Sequence, residues 1–437
     1  MQAPIVIVTL DNYEVFRLMD TWLRQVFVLS WPTKRPPDPL RRQPPVAAWL
    51  ASSELEGLVD KAPARSDHDR PRARHNRQAR GSRLPLSNYV TPNMQQTYTA
   101  PERVVPLQTT VRAAVLGLGI YVPPRLLDNH ELATRVDTSD EWIVERTGIR
   151  TRHIAAPDQA ASDLAVPACL DALRDANLRP ADLDLILCAT TTPDMLFPAT
   201  ACLIQERIGA RRAGACDVLA ACSSFLCAMI TAAQMIEAGL VRYALVVGAE
   251  VLSKLVDWTD RSLCVLVGDG AGAVVMGPST SGAGVLASVA HADGGAGDML
   301  KLPAGGSRMP ITEEVLAQRL HYPRMDGRTL FKLAVRVVPE VIEEVTRKAG
   351  LTLDEVTWIV PHQANQRILE AVARAMHLPI ERFICTIDRY GNTSAASVPI
   401  SLWEARRDGR LVDGDRLVAV AFGGGFTWAA CALTWGR

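Results

Sequence analysis

The chain has 437 residues, 48% of them hydrophobic, so it is long enough to bury a large core over two or three domain-sized units. Lys plus Arg and Asp plus Glu balance at 47 each, which argues against binding to nucleic acid through an overall positive field. The nine cysteines include no CxxC pair, a usage typical of reduced cytosolic thiols rather than of a disulfide framework or a zinc site.

The first 110 residues differ in composition from the rest of the chain. They contain neither a signal-peptide pattern nor a membrane-spanning apolar run, so we expect a cytoplasmic protein that does not enter the membrane. Residues 33–110 are rich in Pro and Arg, and such a segment cannot offset its ordering entropy by burial. We therefore predict that residues 1–110 are a disordered extension, or upstream sequence translated in error ahead of a start at Met94. A basic tether to nucleic acid or a membrane is the alternative.

From Val111 onward, apolar runs of strand length alternate with longer helical segments. Examples of such runs are residues 183–188, 244–247 and 273–276. This alternation is typical of a layered α/β fold. The pattern occurs twice, so we predict two similar halves, over residues 111–280 and 281–437.

The first candidate for a reactive group is a cysteine that precedes a predicted helix. Cys222 is followed by residues 226–240, which are apolar on nearly every face and are predicted to form a buried helix. At a helix N-terminus the dipole and the unpaired N–H groups favour the thiolate, which is the form that attacks a thioester carbonyl. A small core cysteine is the alternative, so the assignment depends on its partners.

Two polar residues are predicted at the carboxyl ends of other strands. His362 follows the apolar run 356–360, and Asn392 follows a strand predicted over 383–387. Taken alone, each has an ordinary structural explanation. Because reactive groups of open α/β sheets collect at the carboxyl ends of strands, we expect His362 and Asn392 to meet Cys222.

Two glycine-rich segments are candidates for binding loops. Gly423, Gly424 and Gly425 separate two apolar runs and predict a hairpin whose backbone amides could stabilise an oxyanion, a purely structural turn being the alternative. Residues 268–272 precede a strand, and no P-loop Lys follows them. We predict a tight structural turn at 268–272 rather than a nucleotide site.

With these residues in view, the chain from about Val111 to its C-terminus resembles the β-ketoacyl-acyl-carrier-protein synthase III family, which starts type II fatty-acid synthesis. Besides the Cys222 segment, the matching stretches are residues 136–143, 146–149, 268–272, 361–365, 391–392 and 422–428. The resemblance implies a thiolase-like, five-layered αβαβα fold of two similar halves, in a homodimer. It also implies a decarboxylative Claisen condensation of acetyl-CoA or another short acyl-CoA with malonyl-acyl-carrier protein.

The resemblance implies a role for each member of the predicted constellation. Cys222 would accept the acyl group, while His362 and Asn392 would donate hydrogen bonds to the malonyl thioester oxygen during loss of CO2. The backbone N–H groups of Cys222 and Gly424 would form the oxyanion hole. Such a set supplies a nucleophile and hydrogen-bond donors, so neither a metal nor another cofactor is expected.

The resemblance further implies contacts with two partners, acyl-CoA and the acyl carrier protein. The CoA contacts would come from Thr138, Trp142, Arg146, Arg261 and Asn365. The acyl pocket, built from both subunits, would include Phe197 and Phe422. A basic face with Lys332, Arg367 and Arg374 would receive the acidic carrier protein. Ordinary solvated charges and an amphipathic Trp at a helix edge are the alternative.

The chain departs from the family at two places, the N-terminal extension and Ser223-Ser224, where the family usually has Ala-Gly. Because of these serines, the sequence does not determine which acyl group the protein uses. A related condensing enzyme of secondary metabolism, of polyketide or quinolone type, is therefore the first alternative. A non-catalytic protein that keeps the fold is disfavoured because Cys222, His362 and Asn392 are all present. A nucleic-acid binder that uses the basic extension is the third alternative.

Overall fold

The computed structural model describes residues 111–436, and the predictions for residues 1–110 lie outside this range. The strands of the described part are β1 (Ala113–Tyr121), β2 (Arg125–Asp128), β3 (Thr151–Ile154), β4 (Leu185–Ala189), β5 (Gly214–Val218), β6 (Ala244–Glu250), β7 (Gly270–Pro278), β8 (Gly284–Ala292), β9 (Leu300–Lys301), β10 (Arg324–Met325), β11 (Trp358–Pro361), β12 (Arg416–Gly423) and β13 (Thr427–Thr434).

The α-helices alternate with these strands. They span Asn129–Ala133, Asp140–Thr147, Ala161–Asp175, Thr200–Ile208, Ser224–Glu237, Arg261–Cys264, Glu313–Ala317, Gly327–Lys348, Gln366–Ala375, Ile387–Tyr390 and Ser397–Arg407. Side-chain caps fix several helix starts: Ser139 Oγ accepts the N–H of Trp142, and Asn365 Oδ1 accepts that of Arg367. Within residues 111–436, no helix has both the length and the apolar composition needed to cross a bilayer.

Two sheets organise the described residues. The first has the order β1-β7-β6-β4-β5, in which β5, β4 and β6 are parallel to one another and β7 and β1 pair antiparallel. The second has the order β11-β12-β13-β8, with β11 and β12 parallel and the next two pairings antiparallel. Every residue of β6 is buried, as expected for a central strand covered on both faces.

The helices complete five layers around these sheets. The helices Ser224–Glu237 and Ser397–Arg407 lie between the two sheets and share one apolar cluster with both. Ala161–Asp175 packs on the outer face of the first sheet, and Gly327–Lys348 and Gln366–Ala375 pack on the outer face of the second. The predicted αβαβα architecture is therefore confirmed. Each large apolar side chain buried in these clusters contributes about 1.5–3 kcal/mol.

Both sheets combine parallel and antiparallel pairings, but the first has five strands and the second has four. Where a fifth strand would pair with β11, the second sheet has only one isolated bridge. The strand predicted over 383–387 is wrong, because only Phe383 pairs, with Ile359. Beyond it the carboxamide of Gln363 replaces a neighbouring strand. Its Nε2 donates to Ile384 O at 3.0 Å, and its Oε1 accepts the N–H of Thr386 at 2.9 Å.

The domain boundary near residue 280 stays a prediction, since the described residues belong to one compact unit.

The turn predicted at 268–272 is also wrong. Gly270 and Gly272 lie inside β7, and neither they nor Gly268 has a positive φ. These glycines allow close packing instead: a Cβ on Gly268 would approach Tyr390 O to 2.2 Å, and one on Gly272 would approach the Ile400 backbone to 2.9 Å. Their role is to bring the start of β7 against the segment that carries Asn392.

Candidate active site

Cys222 lies at the junction between β5 and the central helix. A 3-10 turn over Ala221–Ser223 leads directly into the helix Ser224–Glu237. Ala221 has a φ of 47°, a left-handed conformation that costs an L residue about 1–2 kcal/mol, so the turn before Cys222 is strained. The predicted position at a helix start is thus observed.

The side chains of the two serines after Cys222 form hydrogen bonds within the same turn. Ser223 Oγ donates to Ala220 O at 2.8 Å, and Ser224 Oγ donates to Ala221 O at 2.6 Å. Both serines are fully buried, and neither lines the cavity beside Cys222. Their hydroxyls therefore secure the turn that carries Cys222.

That the helix terminus favours a Cys222 thiolate stays a prediction, and the burial of the thiol opposes it. Burial raises the pKa of the Cys222 thiol from 9.0 to about 12, against a smaller opposing effect of a hydrogen bond with Ser394. Burial of the thiol and the nearby helix terminus therefore act in opposite directions on the ionisation of Cys222.

His362 directly follows β11, at the strand end where it was predicted. Its backbone N–H donates to Val420 O at 2.7 Å, and its ring meets Phe422 edge to face with centroids 5.7 Å apart. Nδ1 lies 2.7 Å from Ser397 Oγ. Burial lowers the pKa of His362 to about 3, so the ring is neutral near pH 7. The imidazole is thus fixed on one side, and it lines the cavity.

Asn392 is held by its backbone and by one half of its amide. Its N–H donates to Leu266 O at 2.8 Å, and its carbonyl accepts the N–H of Gly268 at 3.0 Å. The preceding Gly391 has a φ of 63°, and a Cβ there would lie 2.8 Å from Leu266 O, so a glycine is required. Asn392 Oδ1 accepts the N–H of Ser394 at 2.8 Å, which leaves the Nδ2 group as the free donor.

One cavity of about 280 Å³ brings the three predicted residues together. Cys222, His362 and Asn392 all line it, together with the predicted pocket residue Phe422. Among residues 111–436 no cluster of three or more acidic, His or Cys side chains has the arrangement of a metal site. The chemistry available at this site is a half-buried thiol, a neutral imidazole and an amide N–H donor.

The glycine hairpin contacts Cys222 through its first glycine. A Cβ on Gly423 would lie 2.5 Å from the Cys222 backbone nitrogen, and Gly423 lines the cavity. Gly424, predicted to supply an oxyanion-hole N–H, is not among the lining residues. A Cβ on it would lie 2.8 Å from Leu300 O. The sequence indicated the hairpin but not which glycine packs on Cys222.

The cavity opens toward a cluster of predicted CoA contacts. The guanidinium carbons of Arg146 and Arg261 lie 5.0 and 5.2 Å from the centre of the Trp142 ring, in cation–π contact. Asn365 Nδ2 donates to Arg146 O at 3.1 Å, which ties the helix Gln366–Ala375 to this cluster. Arg367, predicted for the carrier-protein face, also lines the cavity. An aromatic plane and several cations therefore stand at the entrance.

The remaining predicted site residues do not line the cavity. Thr138 is half-buried, and its hydroxyl has no hydrogen-bond partner among the described residues. Phe197 is 84% exposed, so in a single chain it forms no part of a pocket. Lys332 and Arg374 are exposed, and Arg374 Nη1 lies 3.9 Å from Glu370 Oε2.

Three buried polar residues beside the cavity were not predicted. Ser397 contacts His362, and the Ser394 hydroxyl interacts with both Cys222 and Glu250. Glu250 ends β6 with a fully buried carboxylate, which accepts the hydroxyl protons of Thr191 and Thr192 at 2.9 and 2.8 Å. Burial raises the pKa of the Glu250 carboxyl. Only Glu250 had a signal in the sequence, as an acid at the end of an apolar run.

Comparison with known proteins identifies the family. Models for 3-oxoacyl-[acyl-carrier-protein (ACP)] synthase III and for its C-terminal part match residues 216–294 and 346–435. A β-ketoacyl-[acyl-carrier-protein] synthase III from Symbiobacterium thermophilum is 51% identical over 323 residues, which cover 74% of this chain and 98% of the relative. The chain belongs to the β-ketoacyl-[acyl-carrier-protein] synthase III family. It is accordingly an acyltransferase of the condensing type, as predicted.

Solved structures agree with this assignment. The crystal structure of 3-oxoacyl-[acyl-carrier-protein] synthase III from Aquifex aeolicus is 44% identical, with a TM-score of 0.69, over 74% of this chain and 100% of that chain. The priming β-ketosynthase of the R1128 polyketide pathway is 35% identical, with a TM-score of 0.68, over 76% and 99%. Relatives about 50% identical to this chain carry the name β-ketoacyl-[acyl-carrier-protein] synthase III, so the secondary-metabolism alternative is not favoured.

Proposed function

We propose that the chain condenses a short acyl-CoA with malonyl-acyl-carrier protein, the step that starts type II fatty-acid synthesis. The observation that carries the proposal is the meeting of Cys222, His362 and Asn392 around one cavity, in a chain 51% identical to a β-ketoacyl-[acyl-carrier-protein] synthase III. A nucleophile with two nitrogen partners suits acyl transfer followed by stabilisation of an enolate.

In the first step, Cys222 takes the acyl group. Its sulfur attacks the thioester carbonyl, the thiol proton leaves, and CoA departs as the thiolate, which takes up a proton. The backbone N–H groups of Cys222 and Gly424 hold the developing oxyanion. Such a hole needs the hairpin close to the nucleophile, and the 2.5 Å that would separate a Cβ on Gly423 from the Cys222 nitrogen supports this closeness.

In the second step, malonyl-acyl-carrier protein occupies the emptied cavity. The Asn392 Nδ2 group and the imidazole of His362 donate to the thioester oxygen, so that the electron pair left by CO2 is held as an enolate. The enolate carbon then attacks the acyl-Cys222 carbonyl and releases the cysteine thiolate. The fixed Oδ1 of Asn392 supports this role, because it commits the amide N–H to the cavity side. The step needs neither a metal nor another cofactor.

Acyl-CoA would enter along the basic and aromatic entrance. Trp142 offers a flat face for the adenine ring, and Arg146 and Arg261 offer planar cations that suit phosphate groups. In the free protein Arg261 also donates to Asp137 O at 2.7 Å, a half-exposed contact that costs little to replace. Asn365 and the unpartnered hydroxyl of Thr138 would provide further polar contacts.

A homodimer would complete the acyl pocket. Met195, Leu196 and Phe197 are 47%, 82% and 84% exposed, and contiguous exposed apolar side chains of this kind mark interaction surfaces. β5, the edge strand of the first sheet, is partly exposed as well. We propose that a second copy covers this surface and that Phe197 reaches the partner's pocket, beside Phe422.

The acyl carrier protein would dock on the basic side of the entrance. Arg328, Lys332 and Arg336 recur every four residues on the helix Gly327–Lys348 and are exposed, so they form one row. Arg367 stands at the cavity mouth, and Arg374 is partly neutralised by Glu370. Such a row suits transient docking of an acidic partner in the cytoplasm.

A starter other than a short acyl group, as in secondary metabolism, is the second candidate because the polyketide enzyme shares the fold at 35% identity.

The proposal is tested by loading the full-length protein with a panel of acyl-CoAs and measuring its intact mass. Short acyl groups should add one acyl mass to the wild type and to Cys227→Ala, but none to Cys222→Ala. Cys227 is a suitable control because it is also half-buried and lies on the helix that directly follows Cys222. Loading by bulky or aromatic starters alone would replace the short-chain proposal, and failure of every acyl-CoA would contradict it.

A further inference from the structure

The carboxamide of Gln363 uses its whole hydrogen-bonding capacity on backbone groups. Nε2 donates to Pro361 O at 2.8 Å and to Ile384 O at 3.0 Å. Oε1 accepts the N–H groups of Thr386 and Ile387 at 2.9 and 3.1 Å. An amide side chain has two N–H donors and two acceptor positions, so none is left over. Gln363 is 1% exposed, and water therefore does not compete for these contacts.

One of these donors replaces a strand pairing that Pro361 cannot make. The N–H of Ile384 donates to Ile359 O at 2.9 Å, which is one hydrogen bond of a parallel pairing. The next hydrogen bond of that pattern would run from the N–H of residue 361 to Ile384 O, but a proline has no N–H. The Nε2 group of Gln363 supplies it instead. The side chain thus extends the contact of β11 with this segment beyond the end of the strand.

The oxygen of the same carboxamide caps the short helix Ile387–Tyr390. The first N–H groups of a helix have no acceptor within the helix and need one from elsewhere. Thr386 precedes this helix, but its side chain forms no cap, and its hydroxyl lies 2.9 Å from Ser401 Oγ. Gln363 Oε1 accepts two of the unpaired N–H groups, so a residue distant in sequence fixes where this helix begins.

That helix connects Gln363 directly to Asn392. The N–H of Gly391 donates to Ile387 O at 2.9 Å, and Asn392 is the next residue. At its other end, Gln363 is the neighbour of His362 in the chain. We propose that Gln363 is a positioning residue that holds Asn392 at the distance from His362 at which both side chains reach one thioester oxygen. This inference rests on the proposed function.

Such a role affects the two proposed steps differently. In the second step the donors of His362 and Asn392 converge on one oxygen, and each needs a distance of about 2.7–3.2 Å from it. A shift of about 1 Å of either donor therefore costs about 10²-fold in rate. In the first step the oxyanion is held by the backbone N–H groups of Cys222 and Gly424, and Asn392 takes no part. Gln363 is not among the residues that line the cavity, so it acts through its neighbours.

Hydrogen exchange of the full-length protein tests this contact without turnover. Gln363→Met keeps the length of the side chain and removes all four hydrogen bonds. We expect peptides from residues 384–392 to exchange about tenfold faster in this variant, while the rest of the chain exchanges as in the wild type. Gln159→Met is the matched control, because the Gln159 amide also accepts, from Ala156 N–H at 3.0 Å, and donates, to the Tyr121 hydroxyl at 3.2 Å. Unchanged exchange over residues 384–392, or equally faster exchange throughout the chain, would overturn the proposal.

The kinetic consequence is a loss in the second step alone. Gln363→Met should slow CO2 release by acylated protein with malonyl-acyl-carrier protein about 10²-fold, while acylation of Cys222 in single turnover stays within about threefold of the wild type. Gln159→Met should match the wild type in both steps. Equal slowing of both steps by Gln363→Met would indicate a general structural role, and it would overturn the proposal, as would unchanged CO2 release.

A second variant covers the case in which Gln363→Met does not fold. Gln363→Glu keeps the length and the acceptor oxygen but lacks at least one N–H donor, so CO2 release should fall about tenfold and acylation should not change. Equal effects on the two steps would again overturn the proposal. A wild type that no acyl-CoA loads would contradict the proposed function instead, and hydrogen exchange would still decide whether Gln363 holds the segment before Asn392.

Discussion

Replacement of Gly423 by alanine tests whether the glycine hairpin positions the nucleophile. The new Cβ would lie 2.5 Å from the Cys222 nitrogen and 3.0 Å from Ala221 Cβ, whereas ordinary contact begins at 3.4 Å. The obstacle is backbone, so the turn or β12 must move by nearly 1 Å. A displacement of about 1 Å at a reacting group costs about 10²-fold in rate. Overpacking of this kind also costs about 1–3 kcal/mol of stability.

The assay is the rate of Cys222 acylation, followed by intact mass, together with urea unfolding of the same samples. Gly306→Ala is the matched control, because nothing lies within 4 Å of a Cβ there and its φ is not positive. We expect Gly423→Ala to lose about 10²-fold in acylation while it remains folded, and Gly306→Ala to match the wild type. Acylation of Gly423→Ala within threefold of the wild type would refute the reasoning.

Three further predictions concern the thiol, the entrance and the core. Burial raises the pKa of Cys222 to about 12, so the rate of its alkylation by iodoacetamide should rise about tenfold per pH unit up to pH 10. The alkylation is followed by mass on the peptide that contains Cys222. A rate that reaches a plateau below pH 8 would indicate a stabilised thiolate instead. Arg261→Ala should raise the KM for acyl-CoA about tenfold with little change in kcat. Arg174, an exposed arginine on another helix, is the control, and Arg174→Ala should leave the KM unchanged. Equal KM values for the two variants would exclude Arg261 from CoA binding. Glu404 is fully buried and pairs with Arg389, Arg407 and the Tyr390 hydroxyl, so Glu404→Ala should lower the free energy of unfolding by about 3 kcal/mol. The partly exposed Glu131 forms ion pairs at the surface, so Glu131→Ala should cost less than about 1 kcal/mol. Equal losses for the two variants in urea titrations would contradict this.

The layered fold, Cys222 and His362 were predictable because their signals are local. Apolar runs ending in Pro361 or Gly423 marked strand ends, and His362 and Cys222 stand directly at such junctions. The strand expected over 383–387 failed because the Gln363 side chain, not a strand, takes its backbone hydrogen bonds. A long-range side-chain contact of that kind leaves no periodicity in the sequence.

Properties that depend on tertiary burial could not be predicted. The helix start suggested a Cys222 thiolate, but the burial that raises the pKa of this thiol comes from segments far along the chain. Ser397 gave no signal, because its contact with His362 spans 35 residues. Phe197 is exposed in one chain, so its place in a pocket depends on a second copy.

The central claim is most directly tested by complete turnover of the full-length protein with acetyl-CoA and malonyl-acyl-carrier protein. We predict that CO2 release and the β-ketoacyl-carrier product appear in equal amounts and require both substrates. Cys222→Ala should form no condensation product, while Cys227→Ala should match the wild type. Product formed by Cys222→Ala, or none from the wild type with any acyl-CoA, would contradict the claim.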